Sequence, residues 1–376
     1  MTADLTERQA FMVLNALPNI GPITLNRLLE QFAQDPSAVL RAGARQLEAV
    51  KGVGPAISGS ILNWREHFDL EKEEERLGRT SATFLTVRDD DYPGLLREIH
   101  DPPIGLYRKG GYRFEQRGIA IVGSRRTTLY GQAVAKRLAA ELGRLGFCIV
   151  SGLARGIDTA AHEGALSVGG RTAAVLGCGI DIVYPPENLD LYRRIAEAGA
   201  VLSEFPLGRR ADRQTFPMRN RIVSGMCEAI VVVETEVNGG AMITARFAGE
   251  QGRQIFAVPG RIDQATSQGC HQLIRDGATL LTGVDDILQE LDYLKGIPPR
   301  PIAQTGQPSV LEGILSQLGE EERQVLECFR GGAILSADAL GAATGLGAPE
   351  MASTLMLLEL KRLVTRRADG AFEARG

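Results

Sequence analysis

A glycine corner that carries two arginines is the part of the sequence best suited to binding an anion. Residues 119–122 read as a buried strand, Gly123-Ser124-Arg125-Arg126 forms the turn after it, and 132–145 read as a helix. Dinucleotide-binding folds place a Gly-x-Gly-x-x-Gly loop at this corner. Here the second and third glycines are absent and guanidinium groups stand in the turn. We therefore predict that the turn holds a phosphate of single-stranded nucleic acid, with N–H and hydroxyl donors from Gly123 and Ser124 and a bidentate guanidinium from Arg125.

An arginine-rich segment, residues 208–225, is the second candidate for anion binding. It contains one acid, Asp212, and the arginines Arg209, Arg210, Arg213, Arg219 and Arg221. Crowded guanidinium groups repel one another unless an anion neutralises them. Phe216 lies among them, and an aromatic ring stacked on an unpaired base contributes about 1–3 kcal/mol. The segment therefore predicts a second wall of the same site, with contacts from Arg209, Phe216, Arg219, Asn220 and Arg221.

Glycine-rich turns follow six of the predicted strands. Because ligands bind beyond the carboxyl ends of the strands in open α/β sheets, these turns should form one rim. From them we add the DNA contacts Ser151, Gly152, Arg155, Asn238 and Gly240. Beside such a rim the arginine-rich segment favours phosphate binding. The alternative is a solvated loop whose arginines pair with acids elsewhere, such as Glu187 or Glu204.

Residue types for catalysis are scarce by comparison. Asp158 and His162 stand four apart on a predicted helix and could form an acid–base pair. We favour a structural interpretation, in which Asp158 caps the helix and His162 packs against a neighbour, because no nucleophile or second carboxylate accompanies them. The sequence has no Gly-x-x-x-x-Gly-Lys-[Ser/Thr] loop, no HExxH motif and four scattered histidines. We therefore predict neither ATP hydrolysis nor a metal or other cofactor.

Length, composition and net charge limit the classes of protein to which this chain can belong. The chain has 376 residues, 44% of them hydrophobic, and a formal net charge of -4. That length suggests two or three domains, and the charge means that nucleic-acid binding must come from a local basic patch. Five cysteines without CxxC spacing, the lack of a secretory signal and the lack of a long apolar run predict a reduced, cytoplasmic protein that does not enter a membrane.

The elements that must position these residues are those of a doubly wound α/β domain, residues 80–295. Apolar runs rich in Val and Ile alternate with amphipathic helices, which is typical of a mainly parallel sheet covered on both faces. The predicted strands are 119–122, 148–150, 172–176, 200–202, 229–233, 255–258 and 279–281. Residues 89–110, which precede them, read as irregular and proline-rich.

Smaller segments flank this domain. Residues 1–75 predict a helical domain with two Gly-Pro turns, within 17–32 and 50–62, that resemble helix-hairpin-helix motifs. Tight turns in a small docking bundle are an equal alternative. A linker at 296–309 leads to 310–376, where three helices and an Ala-Asp-Gly hairpin predict a winged helix.

The predicted winged helix lacks the residues that usually read DNA. Residues 349–363 would form the recognition helix, yet their first half holds Glu350 and no cation. A carboxylate repels phosphates. We therefore predict that residues 310–376 contact mainly protein, with weak DNA contact at most.

An ordered series of motifs resembles one known family. The motifs include "IVGSR", "SGLARGIDTAAHEGAL", "GCGIDIVYPPEN", "SEFPLG", "FPMRNRIVSG" and "ITARFAGEQGR", and they span about residues 83–282. They are similar to those of the DNA-processing protein A (DprA, or Smf) family. The resemblance implies a Rossmann-like core that binds single-stranded DNA, forms a homodimer, protects incoming strands in natural transformation and helps to load the recombinase RecA. It also implies that the protein is not an enzyme in the usual sense.

Two positions depart from that family pattern. Gly239-Gly240-Ala241-Met242 stands where Ser-Gly-Ser-Leu is usual, and His271 stands where Asn is usual. A rival resemblance comes from the same region, since "NGGAMITARFAGE" looks like the glycine loop of Rossmann-type nucleotide phosphoribohydrolases. With the paired glycines aligned, however, the position of the catalytic Glu falls on Arg246, which speaks against that enzyme.

Overall fold

The computed structural model describes residues 5–212, 214–291, 318–329, 333–361, 363–367 and 370–374. Arg213 and the predicted linker at 296–309 lie outside the described residues. The described chain divides into two compact units, residues 5–127 with 135–291, and residues 128–134 with those after 317. Among the described helices, none combines the length and apolar content that crossing a bilayer requires.

The described residues that precede the sheet are helical. The helices are α1 (Glu7–Ala16), α2 (Pro22–Gln31), α3 (Pro36–Arg41), α4 (Ala44–Glu48), α5 (Pro55–Leu62), α6 (Trp64–His67) and α7 (Leu70–Thr80). Proline opens α2 and α5, where its missing N–H costs no hydrogen bond. Both predicted Gly-Pro turns are therefore present, with Gly21 and Gly54 as the residues before these helices.

The sheet of the first unit is mainly parallel, as predicted. Its strands are β1 (Ala82–Thr86), β2 (Gly105–Lys109), β3 (Gly118–Val122), β4 (Cys148–Ser151), β5 (Thr172–Leu176), β6 (Ala200–Ser203), β7 (Ala229–Val232), β8 (Gln254–Ala257) and β9 (Thr279–Leu280). Their order across the sheet is β1-β2-β6-β5-β4-β3-β7-β8-β9. From β6 to β9 every neighbouring pair is parallel, and the order reverses at the β3–β7 pair.

One part of the sheet differs from the prediction. Residues 89–110 were expected to be irregular, but β2 lies within them and pairs antiparallel with both β1 and β6. The reason is that a short antiparallel strand such as β2 gains its hydrogen bonds from partners distant in sequence, here β6 as well as β1. Flanking prolines and glycines concealed the strand pattern.

Helices cover both faces of the sheet. They are α8 (Gly94–Arg97), α9 (Leu129–Arg144), α10 (Ile157–Ser167), α11 (Leu189–Ala198), α12 (Thr215–Gly225), α13 (Gly240–Glu250), α14 (Ala265–Arg275) and α15 (Val284–Glu290). Alternate side chains of β5 show the two layers, since Ala174 and Leu176 join one apolar cluster while Ala173 and Val175 join the other. This is the period-two alternation of a strand buried on both sides.

The helices before β1 share a core with the sheet. Phe11, Leu14 and Leu28 belong to the same buried cluster as Tyr107 and Leu176. Asn15 also donates a hydrogen bond to the carbonyl of Glu204, at 2.8 Å. Residues 5–75 and 80–291 therefore lie in one compact unit and share part of its core.

The second unit has the predicted three helices and hairpin. Its described elements after residue 317 are α16 (Glu320–Glu327), β10 (Ile334–Leu335), α17 (Ala337–Thr344), α18 (Ala348–Leu360), β11 (Val364–Arg366) and β12 (Phe372–Ala374). β12 pairs antiparallel with both β10 and β11. Val325, Leu340 and Leu355 are buried in its core. This arrangement is that of a winged helix.

Candidate nucleic-acid interface

A cleft of about 530 Å³ opens at the carboxyl ends of β3 and β7, where the strand order reverses. At such a switch point the connections leave two adjacent strands in opposite directions, which creates a crevice for a ligand. Predicted contact residues line it: Gly123, Ser124, Arg125, Arg126, Gly152, Phe216, Arg219, Asn220 and Gly240. The structure therefore brings together residues from separate segments, namely the turns after β3, β4 and β7 and the helix α12.

The turn after β3 forms the first wall. A Cβ atom at Gly123 would lie 2.5 Å from the Ile157 side chain and 2.9 Å from the Glu234 carbonyl oxygen, so only glycine fits there. Ser124 donates its backbone N–H to that carbonyl at 2.6 Å, and its hydroxyl accepts the Arg126 N–H at 3.0 Å. The Ser124 amide is thus already engaged, and its hydroxyl is the group that it can offer a ligand.

The turn after β7 and the first turn of α13 form the opposite wall. Gly239 precedes α13, and a Cβ atom there would lie 2.3 Å from the Thr235 hydroxyl oxygen. Gly240 and Ala241 line the cleft with the start of α13. The first N–H groups of a helix have no intrahelical acceptor and carry partial positive charge, which favours an anion. Glu236 is an exposed acid of this wall.

A guanidinium stacks on an aromatic ring at the mouth of the cleft. Arg125 lies over the ring of Phe216, 4.7 Å from its centroid, and Arg125 itself is exposed. The ring of Tyr184 lies 5.7 Å from that of Phe216 and is 39% exposed. A cation over a ring is attracted by its negative face. Tyr184 was not among the predicted contacts, although its place in a turn after β5 was the signal that could have identified it.

Arg219 lies on the floor of the cleft rather than at its surface. It is 5% exposed, and its Nη1 donates to the carbonyls of Gly152 at 2.6 Å and Val175 at 2.5 Å. A Cβ atom at Gly152 would lie 2.2 Å from the same nitrogen, so glycine makes room for the guanidinium. Burial lowers the pKa of Arg219, while the nearby Asp158 carboxylate opposes that shift. Arg219 therefore contributes positive charge from the floor of the cleft.

Arg221 does not enter the cleft, contrary to the prediction. It is 3% exposed, with Nη2 at 2.5 Å from Glu204 Oε1 and Nε at 3.2 Å from Asp101 Oδ2. Residues two apart on a helix point to opposite sides, so Arg219 and Arg221 cannot both face one groove. For Arg221 the alternative interpretation, pairing with Glu204, is correct.

The remaining predicted contacts lie outside the cleft. Ser151 is completely buried and donates its hydroxyl to the Ile121 carbonyl at 2.6 Å, because it ends β4 instead of beginning the turn. Arg155 is exposed and pairs with Glu187, and Arg209 pairs with Asp212 at 2.5 Å. Asn238 is exposed in the turn before α13. Arg155 and Arg209 are therefore peripheral cations, each next to an acid.

Asp158 and His162 have separate structural roles. The Asp158 carboxylate accepts the N–H groups of Gly152 at 3.1 Å and Ala154 at 3.3 Å, so it ties down the turn after β4 instead of capping α10. His162 is fully buried, with Nδ1 at 2.7 Å from the Thr172 hydroxyl oxygen, and burial lowers its pKa to about 3. Since the Thr172 hydroxyl donates to the Ile149 carbonyl, His162 Nδ1 carries the proton of a neutral ring.

Two family models match the chain over most of its described length. Residues 83–292 match the model for DNA recombination-mediator protein A, and residues 312–370 match that for the DprA winged helix domain. The chain belongs to the DNA recombination-mediator protein A family. The family resemblance predicted from the ordered motifs is thereby confirmed, as is the winged helix at the C-terminal end.

Individual DprA and Smf proteins show the extent of the similarity. Protein Smf of Synechocystis is 36% identical over 309 residues, which cover 80% of this chain and 75% of that protein. The putative DNA processing protein DprA of Mycobacterium tuberculosis is 35% identical over 364 residues, 90% of this chain and 91% of that protein.

Two solved structures of this family share the fold. DprA from Streptococcus pneumoniae has a TM-score of 0.65 at 32% identity and covers 77% of this chain and 99% of its own. DprA from Helicobacter pylori, described for its single-stranded DNA binding mode, has a TM-score of 0.51 at 29% identity and covers 56% of this chain and 96% of its own.

Proposed function

We propose that this protein binds single-stranded DNA in the cleft between β3 and β7. The observation that carries the proposal is the stack of Arg125 on Phe216 at the cleft mouth. The guanidinium of Arg125 suits a phosphate, the ring of Phe216 suits a base, and the two groups lie within one site. The single-stranded DNA binding described for the H. pylori relative supports the same ligand.

Each part of the cleft has a role in this proposal. Arg125, the Ser124 hydroxyl and the start of α13 bind backbone phosphates, and Arg219 adds positive charge from the floor. Phe216 and Tyr184 offer ring faces on which unpaired bases stack. Stacking of this kind needs bases that are not already paired, so a single strand is preferred to a duplex.

The proposal extends to the family's role in recombination. We infer that the protein works in the cytoplasm, protects single strands that enter during natural transformation and helps to load the recombinase RecA onto them. We also infer that it forms a homodimer through the Rossmann-like unit. The family membership of residues 83–292 supports these inferences.

Binding of labelled oligonucleotides tests the ligand class. Anisotropy titrations with a single strand and with the matching duplex should give tighter binding of the single strand at every salt concentration from about 50 to about 200 mM, with affinity falling as salt rises. Equal affinity for both, or no measurable binding of the single strand, would contradict the proposal.

We also propose that the protein is not a nucleotide phosphoribohydrolase. The position that the enzyme's catalytic Glu would occupy holds Arg246, which is exposed on α13 and lies 3.7 Å from Glu250. A guanidinium cannot act as the general base that a carboxylate provides. Incubation with nucleoside monophosphates should release no free nucleobase, and robust turnover would overturn this proposal.

A further inference from the structure

A second groove, of about 660 Å³, lies in the first unit on the other side of α12. Its walls are residues 17–20, which lead into the first Gly-Pro turn, one face of α7, and the loop after β6 at residues 204–207. Gln214, Thr215 and Met218 close it on the α12 side. None of these groups belongs to the cleft between β3 and β7.

The groove and the cleft share one wall. Phe216, Pro217 and Asn220 line the cleft, whereas Thr215 and Met218, three residues apart on the same helix, line the groove. The crest between the two is the first turn of α12, and a helix with its side chains is only about 10–12 Å across. Met218, at 42% exposure, stands on this crest. A flexible chain that leaves the cleft over α12 therefore arrives directly in the groove.

Specific hydrogen bonds join two walls of the groove, α7 and the loop after β6. Glu73 accepts the N–H of Leu207 at 2.9 Å, and Arg76 donates to the Leu207 carbonyl at 2.9 Å. Two side chains of α7 thus form hydrogen bonds with the backbone N–H and C=O of Leu207 in the loop after β6. Glu73 is 3% exposed, and its burial raises its pKa. These two hydrogen bonds hold α7 against the loop after β6, and the distance between these walls is the width of the groove.

The charges that remain at the surface of the groove favour an anion. Among the acids that line it, Glu73 and Glu204 are buried, where Glu73 accepts the Leu207 N–H and Glu204 pairs with Arg221. Asp69 is the exposed acid of the lining, and its carboxylate accepts the backbone N–H of Lys72 at 3.1 Å. Lys72 is exposed, and within the described residues its ammonium group has no acidic partner. Arg209, at 51% side-chain exposure, adds a second cation at the rim beside Asp212.

We infer that a single DNA strand bound in the cleft continues over the crest of α12 into this groove. Lys72 and Arg209 bind its phosphates there, and Met218 supports a base on the crest. The inference rests on the proposed function, because the strand enters from the cleft. Continuity with the cleft and the exposed cations favour nucleic acid over a peptide as the occupant.

A length series of oligothymidylates tests the inference in the full chain. Strands of about 6 nucleotides fit the cleft alone, and strands of about 20 nucleotides reach both sites. Lys72→Ala should weaken binding of the long strand and lower its salt slope by about 0.7, while binding of the short strand stays unchanged. Lys72→Arg should restore the long-strand affinity. Lys136→Ala is the matched control, since Lys136 is an exposed lysine on α9, 3.6 Å from Glu163.

The outcomes separate this inference from the proposed function. If Lys72→Ala binds both strands as wild type does, while Arg125→Ala weakens both, the groove has another occupant and the inference is wrong although the cleft stands. If the wild-type protein binds neither strand, the proposed function fails first. Met218→Ala gives an independent check, because it should weaken only the long strand without changing the salt slope.

Discussion

The guanidinium of Arg125 lies 4.7 Å from the centre of the Phe216 ring. The two residues come from distant segments, one from the turn after β3 and one from the first turn of α12. Sequence reasoning proposed each separately, as a phosphate contact and as a stacking face. Their contact at the mouth of the cleft places both proposed functions within one site.

Replacing Phe216 should separate stacking from charge. We expect Phe216→Ala to lose about 1–3 kcal/mol of binding free energy for single-stranded DNA without changing the salt slope, and Phe216→Trp to restore it. The control is Phe247→Ala, which removes a comparable ring beside Arg246 on α13, outside the cleft. If thermal melting shows that Phe216→Ala mainly destabilises the fold and spares binding, the stacking role is wrong.

Arg221 should prove to be a stability residue. Arg221→Met leaves the carboxylates of Glu204 and Asp101 without their cation, and breaking a buried pair typically costs about 3–5 kcal/mol. Affinity of the folded variant for single-stranded DNA should equal that of wild type. Denaturant unfolding and anisotropy measure the two effects, and an altered salt slope with normal stability would contradict this assignment.

The same variant should respond to pH in a defined direction. Burial already raises the pKa of Glu204 in the folded state, and loss of Arg221 removes the charge that opposes this shift. A carboxyl group with a raised pKa stabilises the fold below its ordinary pKa and loses that contribution as pH rises through the folded value. The difference in the free energy of unfolding between wild type and Arg221→Met should therefore become smaller as the solution is acidified.

His162 should make the fold sensitive to mild acid. Its pKa is about 3 in the folded state and 6.5 ordinarily, so below pH 6.5 the unfolded chain takes up a proton that the folded chain does not. Stability present above pH 6.5 is then lost as pH falls, by about 2 kcal/mol between pH 7 and pH 5. His162→Gln should have a lower free energy of unfolding at pH 7.5 than wild type. That free energy should also change less between pH 7 and pH 5. Parallel pH profiles of the free energy of unfolding would rule this out.

The winged helix should be dispensable for most of the DNA affinity. The residues that line the cleft all lie between Val122 and Thr244. Glu350 accepts the N–H of Gly347 at 3.0 Å at the start of α18, and Met356, Leu357 and Leu360 are exposed apolar side chains on that helix. We expect a chain that ends at Gln304 to keep most single-strand affinity in anisotropy titrations. A large loss by the folded truncation would show that the second unit is a major DNA contact.

The turns around the cleft could be predicted because fully buried strands have a clear sequence pattern. Every residue of β3 and β5 is buried, and their Val, Ile and Ala runs end at glycine turns. The mainly parallel sheet, with a ligand site beyond the carboxyl ends of its strands, then followed from general rules for α/β folds.

Two features could not be read from local sequence. Strand β2 depends on partners far along the chain, and a charge run does not reveal which arginines are buried. If residues 215–225 had been treated as a helix, Arg219 and Arg221 would have been predicted to lie on opposite sides of it. The burial of both side chains depends on Gly152, Val175, Glu204 and Asp101, which only the fold brings near them.

The salt dependence of single-strand binding by Arg125→Ala tests the central claim most directly. Arg125 is an exposed cation of the turn after β3 and the one that lies over Phe216, so its removal should weaken binding similarly for different sequences and lower the salt slope by about 0.7. Arg246→Ala, which removes an exposed arginine beside Phe247 on α13, should leave both quantities unchanged. A folded Arg125→Ala protein with the affinity and salt slope of wild type would show that the cleft between β3 and β7 does not hold the DNA backbone.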